Sequence, residues 1–407
     1  MTLHAHPALQ RLCEQVRAAA ADGQALRIRG GGSKDFYGQV RPAAMLDVRP
    51  LCGITSYQPS ELVVTLWAGT PLAELEAVLA EKGQCLPFEP PHFSAGRLES
   101  DSKPPHFSAV QLESDAKPPH FSSPSTDPAP AATCGGMVAS GLAGPARASV
   151  GGVRDYVLGL ALLDGRAQHL TFGGQVMKNV AGYDVSRLMV GALGCLGVLT
   201  ELSLKVLPVV PGEATLQFEC SQAQALAQLN RWGGQPLPLN ASCWRQDAGV
   251  GTLYLRLRGA AAAVAAACKT LGGEQIPPQQ AAADWAACRD QRLPWFEARG
   301  ERDLWRVSVP ADAPVLEWPE AALEPPLVEW HGAQRWYRLP AGQGPQLRAL
   351  AAQLGGHATL FRTGAAAEPP DNRFDAPLPP LLRIMRQIKR EFDPAGIFNP
   401  GRLYPDF

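Results

Sequence analysis

Three consecutive glycines between a strand-like segment and a serine–lysine pair are the densest group of residues that could do chemistry. They lie in RIRGGGSKDFYG, residues 27–38, where Gly30 to Gly32 precede Ser33 and Lys34. Successive glycine N–H groups can converge on one anion, and a serine hydroxyl adds a further donor. The segment is suited to hold a pyrophosphate, although a glycine triplet taken alone is more often an ordinary turn.

Two further glycine-rich segments adjoin predicted strands. One, at 132–156, begins ATCGGMVASGLAG, and the other, at 182–206, has a glycine at every third position from Gly191 to Gly197. Three such segments favour a long dinucleotide wrapped by several backbone segments over unrelated turns. Neither common phosphate-binding motif is present, because Asp35 replaces the last glycine of GxGxxG and no GK[ST] occurs.

The cysteines and histidines do not predict a metal site. The nine cysteines lie at least 20 residues apart, so the chain has no CxxC pair and no iron–sulfur spacing. No HxxxH or HExxH pattern occurs among the eight histidines. We therefore predict reduced thiols and no bound metal.

Composition excludes several classes of protein. Lys plus Arg number 37 and Asp plus Glu number 38, so no basic field exists to hold nucleic acid. No apolar stretch reaches the roughly 18 residues of a membrane span, and residues 1–24 lack the apolar core of a secretory signal. These features predict a cytoplasmic protein with no transmembrane segment and no nucleic-acid partner.

Helix and strand patterns surround the glycine-rich segments. Apolar spacing predicts a helix around Leu9 to Val16 and another after Thr70, which would cap it. Strands are predicted at 25–29, 44–48, 62–67, 157–163, 167–171 and 198–206. From 214 onward we predict a second α+β unit with helices at 221–232 and 260–271, Pro-rich connectors at 310–330 and 364–380, and a last helix at 380–392.

A 14-residue repeat interrupts this pattern. The units PPHFSAGRLESDSK and PPHFSAVQLESDAK begin at Pro90 and Pro104, and a truncated third unit begins at Pro118. Each unit has too little apolar surface to offset the entropy lost on ordering. We therefore favour a disordered surface insertion over a metal or partner site built from the His-Phe pairs.

Several motifs together resemble the flavin-binding oxidoreductases of the vanillyl-alcohol-oxidase superfamily. They are the glycine triplet, the stretch at 64–91, GGMVASGLAG, KNVAGYD at 178–184, GALGCLGVLTELSLKVLP at 191–208 and FDPAGIFNPGRL at 392–403. Within that superfamily, WHGAQRWYRL at 330–339 and GGHATLFR at 355–362 are similar to the FAD-binding E subunits of bacterial glycolate oxidases. The resemblance covers nearly the whole chain except the repeats.

The resemblance implies an α+β fold with a PCMH-type (vanillyl-alcohol-oxidase-like) FAD-binding domain of two α/β subdomains at 1–212. The repeat-containing loop at 90–126 would be an insertion in that domain. A smaller α+β cap on the substrate side would occupy 213–377, and a C-terminal helix and loop at 378–407 would return to the FAD-binding domain.

The resemblance also implies which residues hold FAD. The pyrophosphate would be held by Arg29, Gly30, Gly31, Gly32, Ser33 and Lys34. A second FAD loop would contain Thr133, Gly135, Gly136, Ser140 and Gly144, and further contacts would come from Gly194, Gly197, Val198 and Asn399. Covalent members of the superfamily carry a histidine where this chain has Ser33, so we expect noncovalent FAD.

The implied function is oxidation of glycolate to glyoxylate within a complex. The implied partners are a second flavoprotein subunit and an iron–sulfur subunit that receives the electrons, and any attachment to the inner membrane would be made through them. Two alternatives remain open. One is a self-sufficient FAD-dependent dehydrogenase for another 2-hydroxy acid such as D-lactate, and the other is a non-catalytic flavin-fold assembly subunit.

No catalytic residue is assigned from the sequence. A 2-hydroxy acid needs a cation for its carboxylate and a base for its hydroxyl proton. Candidate cations are Arg335, Arg338 and Arg362, and candidate bases are His357 and His331, each of which is equally explained by a structural role. Lys178 and Tyr183 could also face the flavin. The HxGDGNxH type of metal and substrate motif usual among related dehydrogenases is absent.

Overall fold

In the computed structural model, the described residues are 6–39, 41–93, 132–174, 183–318, 324–364, 372–405 and 407. Most of the predicted repeat insertion lies outside these residues, as does Lys178, so the prediction of disorder and the proposed role of Lys178 stay predictions.

The chain begins with a helix packed on a short parallel strand pair. Helix α1 (Pro7–Asp22) starts at His6, whose Nδ1 accepts a hydrogen bond from the Ala8 N–H, and ends at Gly23 with φ of 64°. Its apolar face packs on strands β1 (Leu26–Arg29) and β2 (Ala44–Asp47). Phe398, near the C-terminus, bridges to β1 and completes this small core.

An antiparallel five-stranded sheet follows, in the order β3-β4-β8-β6-β7. Its strands are β3 (Ile54–Gln58), β4 (Val63–Trp67), β6 (Val157–Leu163), β7 (His169–Gly173) and β8 (Val198–Lys205). The helices of this region are α2 (Leu72–Glu81), α3 (Cys134–Ser140), α4 (Arg147–Val150), α5 (Val153–Tyr156) and α6 (Val185–Leu188). Short strands β5 (Gln84–Cys85) and β9 (Leu207–Pro208) pair with each other.

Thr70 does not cap helix α2, contrary to the sequence prediction. The helix begins after Pro71, which makes no side-chain cap. The Thr70 hydroxyl instead lies against the backbone of Trp67 and Gly53, donating to the Trp67 carbonyl at 2.6 Å and accepting from the Gly53 N–H at 2.9 Å. Its role is to fix the turn between β4 and α2.

The second half of the chain forms an antiparallel eight-stranded sheet in the order β13-β10-β12-β11-β15-β16-β14-β17. Its strands are β10 (Gly212–Glu219), β11 (Leu239–Asp247), β12 (Val250–Gly259), β13 (Glu274–Gln275), β14 (Asp303–Ser308), β15 (Leu327–Glu329), β16 (Gln334–Leu339) and β17 (His357–Arg362). Its helices are α7 (Gln222–Gly233), α8 (Ala261–Leu271), α9 (Pro278–Arg289), α10 (Pro294–Glu297) and α11 (Gly344–Gln353).

The two faces of this sheet have different partners. Helices α7, α8 and α11 cover one face. The other, which we call the inner face, packs on α9 and on the first half of the chain, so that Trp285, Trp336 and Phe361 share one core with Tyr37 and Phe88. Period-2 alternation along each strand therefore decides which side chains meet the first half.

The C-terminal helix α12 (Pro379–Phe392) returns to the first half of the chain. Its buried Lys389 ammonium donates to the Cys195 carbonyl at 2.6 Å, to Asp393 Oδ2 at 2.7 Å and to the Phe398 carbonyl at 2.9 Å. The Asp393 carboxylate also accepts from the Ile397 and Phe398 N–H groups. This network attaches the last segment to the glycine-rich region at 191–197.

The predicted domain boundaries at 212/213 and 377/378 fall at the start of β10 and just before α12. We keep them as a proposed division of the chain. Among the described residues, the helices are all too short or too polar to span a membrane.

We predict that Lys389→Met destabilises the chain by about 3–5 kcal/mol, because it leaves the buried Asp393 carboxylate without its cation and two carbonyls without donors. Urea denaturation of the purified chain would measure the change. Arg390→Met, at the next and exposed position of the same helix, serves as the control, and equal stability of the two variants would contradict the prediction.

Candidate functional site

The predicted pyrophosphate segment lines a cleft. Strand β1 delivers Arg29 to the mouth of the cleft, and the chain then turns through Gly30 to Lys34 along its wall. The opposite wall comes from α3, through Thr133, Gly136 and Ser140. The cleft is open to solvent, and its enclosed part has a volume of about 80 Å³.

Two positions of this segment require glycine, one because the two walls approach closely and one because of its backbone conformation. A Cβ at Gly30 would lie 2.3 Å from Thr133 Oγ1, which no side chain tolerates. Gly32 has φ of 74°, a conformation that L side chains rarely adopt. A Cβ at Gly136, by contrast, would meet only Thr133 Oγ1 at 3.1 Å, so this position is open on its cleft side.

The second predicted FAD loop is a helix rather than a loop. Thr133 is the N-cap of α3, since its Oγ1 accepts from the Gly136 N–H at 3.2 Å, and the Ser140 hydroxyl donates to the Met137 carbonyl. A Cβ at Gly135 would collide with Ala68 at 2.8 Å, so this glycine allows α3 to pack against β4. Glycine content concealed the helix in the sequence.

Positive charge accumulates in the cleft without a matching carboxylate at Lys34. The Lys34 ammonium lies 3.4 Å from Ser33 Oγ, and no carboxylate of the described residues lies within ion-pair distance of it. Burial lowers the pKa of Lys34 to about 8. The neighbouring Arg29 is already paired with Asp35 at 2.8 Å. An anion placed between the glycines and Lys34 would compensate this partly buried charge.

Arg402 supplies a second cation to the same cleft. It lies at the end of the returning C-terminal segment, and its guanidinium donates to the carbonyls of Lys34 at 3.3 Å and of Tyr37 at 3.1 Å. Burial lowers the pKa of Arg402. Glycine N–H groups, a serine hydroxyl and two partly buried cations are the donors that a pyrophosphate requires, so the residues present fit FAD.

The remaining predicted FAD contacts have packing roles. The Asn399 amide accepts from the Ile28 N–H at 2.9 Å and donates to the Leu193 carbonyl at 2.6 Å, which ties β1 to Leu193 in the lining of the cleft. A Cβ at Gly194 would meet Asn399 Nδ2, one at Gly197 would meet Leu162 and Leu163, and one at Gly144 would meet the Glu89 carbonyl. Val198 is fully buried in the small core around α1.

Two cysteines are buried beside the cleft. Cys134 is the first residue of α3, and Cys195 donates its S–H to the Asn399 carbonyl at 3.6 Å. Burial raises the pKa of the Cys134 thiol far above its usual value and that of Cys195 to about 11. Both are unreactive thiols at neutral pH.

A second, smaller cavity lies between the inner face and the first half of the chain. Phe93 and the loop at 142–145 form one wall, and Arg306, Gln334 and Trp336 form the other. The ammonium of Lys34, which lines the cleft, is 5.9 Å from the centroid of the Phe93 ring. The two cavities are thus separated by little more than Phe93, and we call the second one the interdomain cavity.

Buried Glu329 organises the wall of this cavity. Its carboxylate accepts from Trp336 Nε1 at 2.6 Å, from Gln334 Nε2 at 3.0 Å and from Cys288 Sγ at 3.2 Å. Burial raises the pKa of Glu329 above its usual value despite these three donors. Glu329 lies in β15, inside the stretch that the sequence predicted as a Pro-rich connector.

Sequence reasoning missed Arg306, Glu329 and Gln334 as site residues. Arg306 follows the alternation of its strand, with Trp305 and Val307 facing the helices, and Gln334 and Trp336 share the inner face of β16. A charged or amide residue at an inward position of an apolar strand was the available signal. This signal could not identify a shared site until the pairing of β14, β15 and β16 was known.

Of the arginines predicted to bind a carboxylate, Arg335 points away from both cavities. It lies on the helix-covered face, fully buried, and donates to the backbone carbonyls of Gly332, Pro314 and Ala313. Arg338 faces inward but is paired with Glu324 and stacked on Trp295, away from the interdomain cavity. We no longer propose either as a substrate ligand.

Arg362 lies on the inner face near both cavities. Its guanidinium stacks 3.4 Å from the centroid of the Phe36 ring and 5.2 Å from that of Phe93. Burial lowers its pKa to about 10. It therefore adds to the positive potential at the junction of the cleft and the interdomain cavity.

The predicted bases lie outside the interdomain cavity. His331 bridges Ser149 at 3.0 Å and Ser242 at 3.1 Å, and burial lowers its pKa to about 4. His357 is exposed at the start of β17. Tyr183 is 96% exposed, so it contacts neither cavity among the described residues.

Comparisons with known proteins agree with this geometry. Two family models match the chain: one described as an FAD binding domain, at residues 9–98, and one described as the C-terminal domain of FAD linked oxidases, at residues 378–403. These matches contain β1, the glycine segment and the returning C-terminal segment. They account for both ends of the chain that meet at the cleft.

The solved structure of alkyldihydroxyacetonephosphate synthase superposes with a TM-score of 0.60 at 14% identity, covering 96% of this chain and 74% of that one, which confirms the predicted fold. Glycolate oxidase subunit GlcD of Bacillus subtilis is 36% identical over 24% of this chain and 20% of its own. Glycolate oxidase subunit GlcE of Escherichia coli is 42% identical over 98% of this chain and 97% of its own length. The chain therefore belongs to the family of FAD-binding glycolate oxidase subunits represented by GlcE.

Proposed function

We propose that this chain is an FAD-binding subunit of a glycolate oxidase complex and takes part in the oxidation of glycolate to glyoxylate. The observation that carries the proposal is the glycine-lined cleft with the unneutralised Lys34 ammonium, in a chain similar along almost its whole length to a glycolate oxidase subunit. A neutral or apolar ligand would leave this partly buried charge uncompensated.

FAD, when bound, supplies the acceptor for the two electrons and the hydrogen removed from a 2-hydroxy acid. The chain's own residues bind and orient it. The backbone of Gly30 to Gly32 and the Ser33 hydroxyl supply donors to the pyrophosphate, and Lys34 and Arg402 balance its charge. The inner face of the eight-stranded sheet covers the junction of cleft and interdomain cavity and excludes water from it.

We infer that FAD is held noncovalently. Ser33 occupies the position at which covalent relatives carry a histidine, and a serine hydroxyl is not a nucleophile that attaches to a flavin without activation. Ser33 lies beside the Lys34 ammonium, with no base in contact among the described residues.

We further infer that the chain works in a multi-subunit complex with a second flavoprotein subunit and an iron–sulfur subunit. The full-length similarity to one glycolate oxidase subunit and the partial similarity to another support assembly. The wide spacing of the nine cysteines supports a separate electron-carrying partner. A cytoplasmic location, with any membrane attachment made through partners, is part of this proposal.

The proposal is tested by the absorption spectrum of the purified chain, before and after anaerobic addition of glycolate. We expect flavin absorbance that bleaches with glycolate and is released into the supernatant on acid precipitation. Flavin that does not bleach would assign substrate oxidation to a partner subunit, and bleaching with D-lactate alone would favour the self-sufficient dehydrogenase. A folded, colourless chain would favour the assembly subunit.

We predict that Gly136→Asp lowers the ratio of FAD to protein at least about tenfold. The new side chain meets little of the protein itself but places a negative charge in the cleft, where it repels a pyrophosphate. Flavin content after gel filtration measures the effect. Gly233→Asp, at an exposed position where a Cβ meets nothing within 4 Å, is the matched control. Full flavin content in both variants would refute the cleft assignment.

We predict that FAD binding weakens above pH 8. Burial lowers the pKa of Lys34 to about 8 in the flavin-free chain, and a bound pyrophosphate raises it again because it stabilises the ammonium. Binding therefore takes up a proton above this pKa. The dissociation constant should be constant below about pH 7 and rise by up to about tenfold per pH unit above pH 8.

Fluorescence titration of the deflavinated chain with FAD, repeated from acidic to alkaline pH, measures this dependence. Lys34→Arg keeps the positive charge at every pH in the range. The dissociation constant of FAD for this variant should therefore not rise above pH 8. The same pH profile in the wild-type chain and in Lys34→Arg would rule out Lys34 as the titrating group.

A further inference from the structure

The interdomain cavity contains two buried polar atoms without a hydrogen-bond partner among the described residues. They are Gln334 Oε1 and Gln291 Oε1, and both side chains line the cavity. Both are acceptors, and Gln334 is 97% buried, with 3% of its surface exposed. A buried acceptor without a partner destabilises the folded chain unless a ligand or water supplies a donor.

The orientation of the Gln334 amide is fixed by its neighbours. Trp336 Nε1 can only donate a hydrogen bond, so Glu329 Oε2 is an acceptor at 2.6 Å from it. Gln334 Nε2 donates to the same Oε2 at 3.0 Å. The amide nitrogen is therefore held in the wall by Glu329, and the amide oxygen is left as the acceptor in the cavity.

Arg306 adds a cation to the same cavity. Its guanidinium donates to the Tyr37 hydroxyl at 3.1 Å and lies 5.7 Å from the centroid of the Phe361 ring. Among the residues that the structure describes, no carboxylate forms an ion pair with it, in contrast to Arg289, which lines the cavity too but is paired with Asp290 at 2.8 Å. Arg306 thus retains charge and donors for a ligand.

On the basis of the proposed function, we propose that the interdomain cavity binds a small 2-hydroxy acid, with Arg306 pairing with its carboxylate and Gln334 Oε1 accepting a hydrogen bond from its hydroxyl group. Glu329 is a positioning residue that holds the Gln334 amide. The set has one cation, one oriented acceptor and aromatic walls from Trp336 and Phe361. It matches a carboxylate that bears an adjacent hydroxyl donor, and it does not match a simple carboxylate equally well.

The location of the cavity is consistent with this ligand. Phe93 separates it from the cleft that fits FAD, so a molecule in the cavity lies at the edge of the cofactor site. Its enclosed volume is about 20 Å³, so its walls must move apart to admit even a ligand of a few non-hydrogen atoms. Arg306 lines the cavity and the neighbouring Arg362 does not, which makes Arg306 the better placed of the two cations for a carboxylate.

The test compares the binding of glycolate and acetate to the full chain with its flavin reduced beforehand, so that glycolate is not oxidised. Isothermal titration calorimetry gives both dissociation constants. Arg306→Gln should raise both at least about tenfold, as expected for loss of a charge-assisted hydrogen bond. Gln334→Met should raise the dissociation constant of glycolate about five- to tenfold and leave that of acetate within about twofold.

Matched variants distinguish binding from structure. Arg338→Gln, on the same inner face but outside the cavity, should change neither constant, and Arg306→Lys should recover part of the affinity for both acids. Flavin content and thermal midpoint are checked first for every variant. Arg306 and Gln334 lie on different strands. If Arg306→Gln fails to fold, Gln334→Met therefore still tests the proposal.

The outcomes separate this inference from the proposed function. Wild-type chain that binds glycolate, with unchanged binding in Arg306→Gln or with equal loss of acetate and glycolate in Gln334→Met, would overturn the inference alone. Wild-type chain that holds FAD but binds neither acid would overturn both the inference and the direct role in oxidation. Wild-type chain without FAD would overturn the cofactor assignment itself.

Discussion

The contact between the inner face of the eight-stranded sheet and the first half of the chain is the constraint on which the interdomain cavity depends. At its centre, Arg256 is buried and donates to the Glu89 carboxylate at 2.6 and 2.8 Å, while it also donates to Asn240 and stacks over Trp285. Glu89 also accepts from the Ala146 N–H. Removing Glu89 would leave the buried Arg256 charge uncompensated, which costs far more than an exposed ion pair contributes.

Together, the two cavities take their residues from distant parts of the chain. The glycine segment, α3 and the loop at 142–145 come from the first half, whereas Arg306, Glu329 and Gln334 come from the sheet. Asn399 and Lys389, from the last segment, then hold the first wall in place. Three stretches far apart in the chain must therefore be folded before the site exists, so that a change in any of them reaches the others through packed contacts.

Elements with a clear period could be predicted from sequence. Helices α1, α7 and α12 and strand β8 lie close to their predicted positions because their apolar residues repeat at 3.6 or at 2, and strand β6 does so because it is a short continuous apolar run. Helix α3 could not be predicted, because glycine has a low helix propensity. Packing of Gly135 against Ala68 stabilises this helix in the folded chain. Strand β15 is three residues long and lies in a Pro-rich stretch, so local pattern had too few residues to reveal it.

The pyrophosphate segment was visible because glycine chemistry is local. The interdomain cavity was not visible, because it depends on strand pairing.

The buried thiols beside the cleft have a consequence for chemical durability. Hydrogen peroxide and similar oxidants attack the thiolate form of cysteine, and a thiol with a pKa of about 11 is ionised in only about one molecule in ten thousand at pH 7. Cys195 supports the backbone of the cleft through Asn399, and Cys134 begins the helix that forms its second wall. A sulfenic or sulfinic group at either position would need space that the packed core lacks. The same desolvation that keeps these sulfurs protonated thus makes the framework of a redox site resistant to oxidative damage.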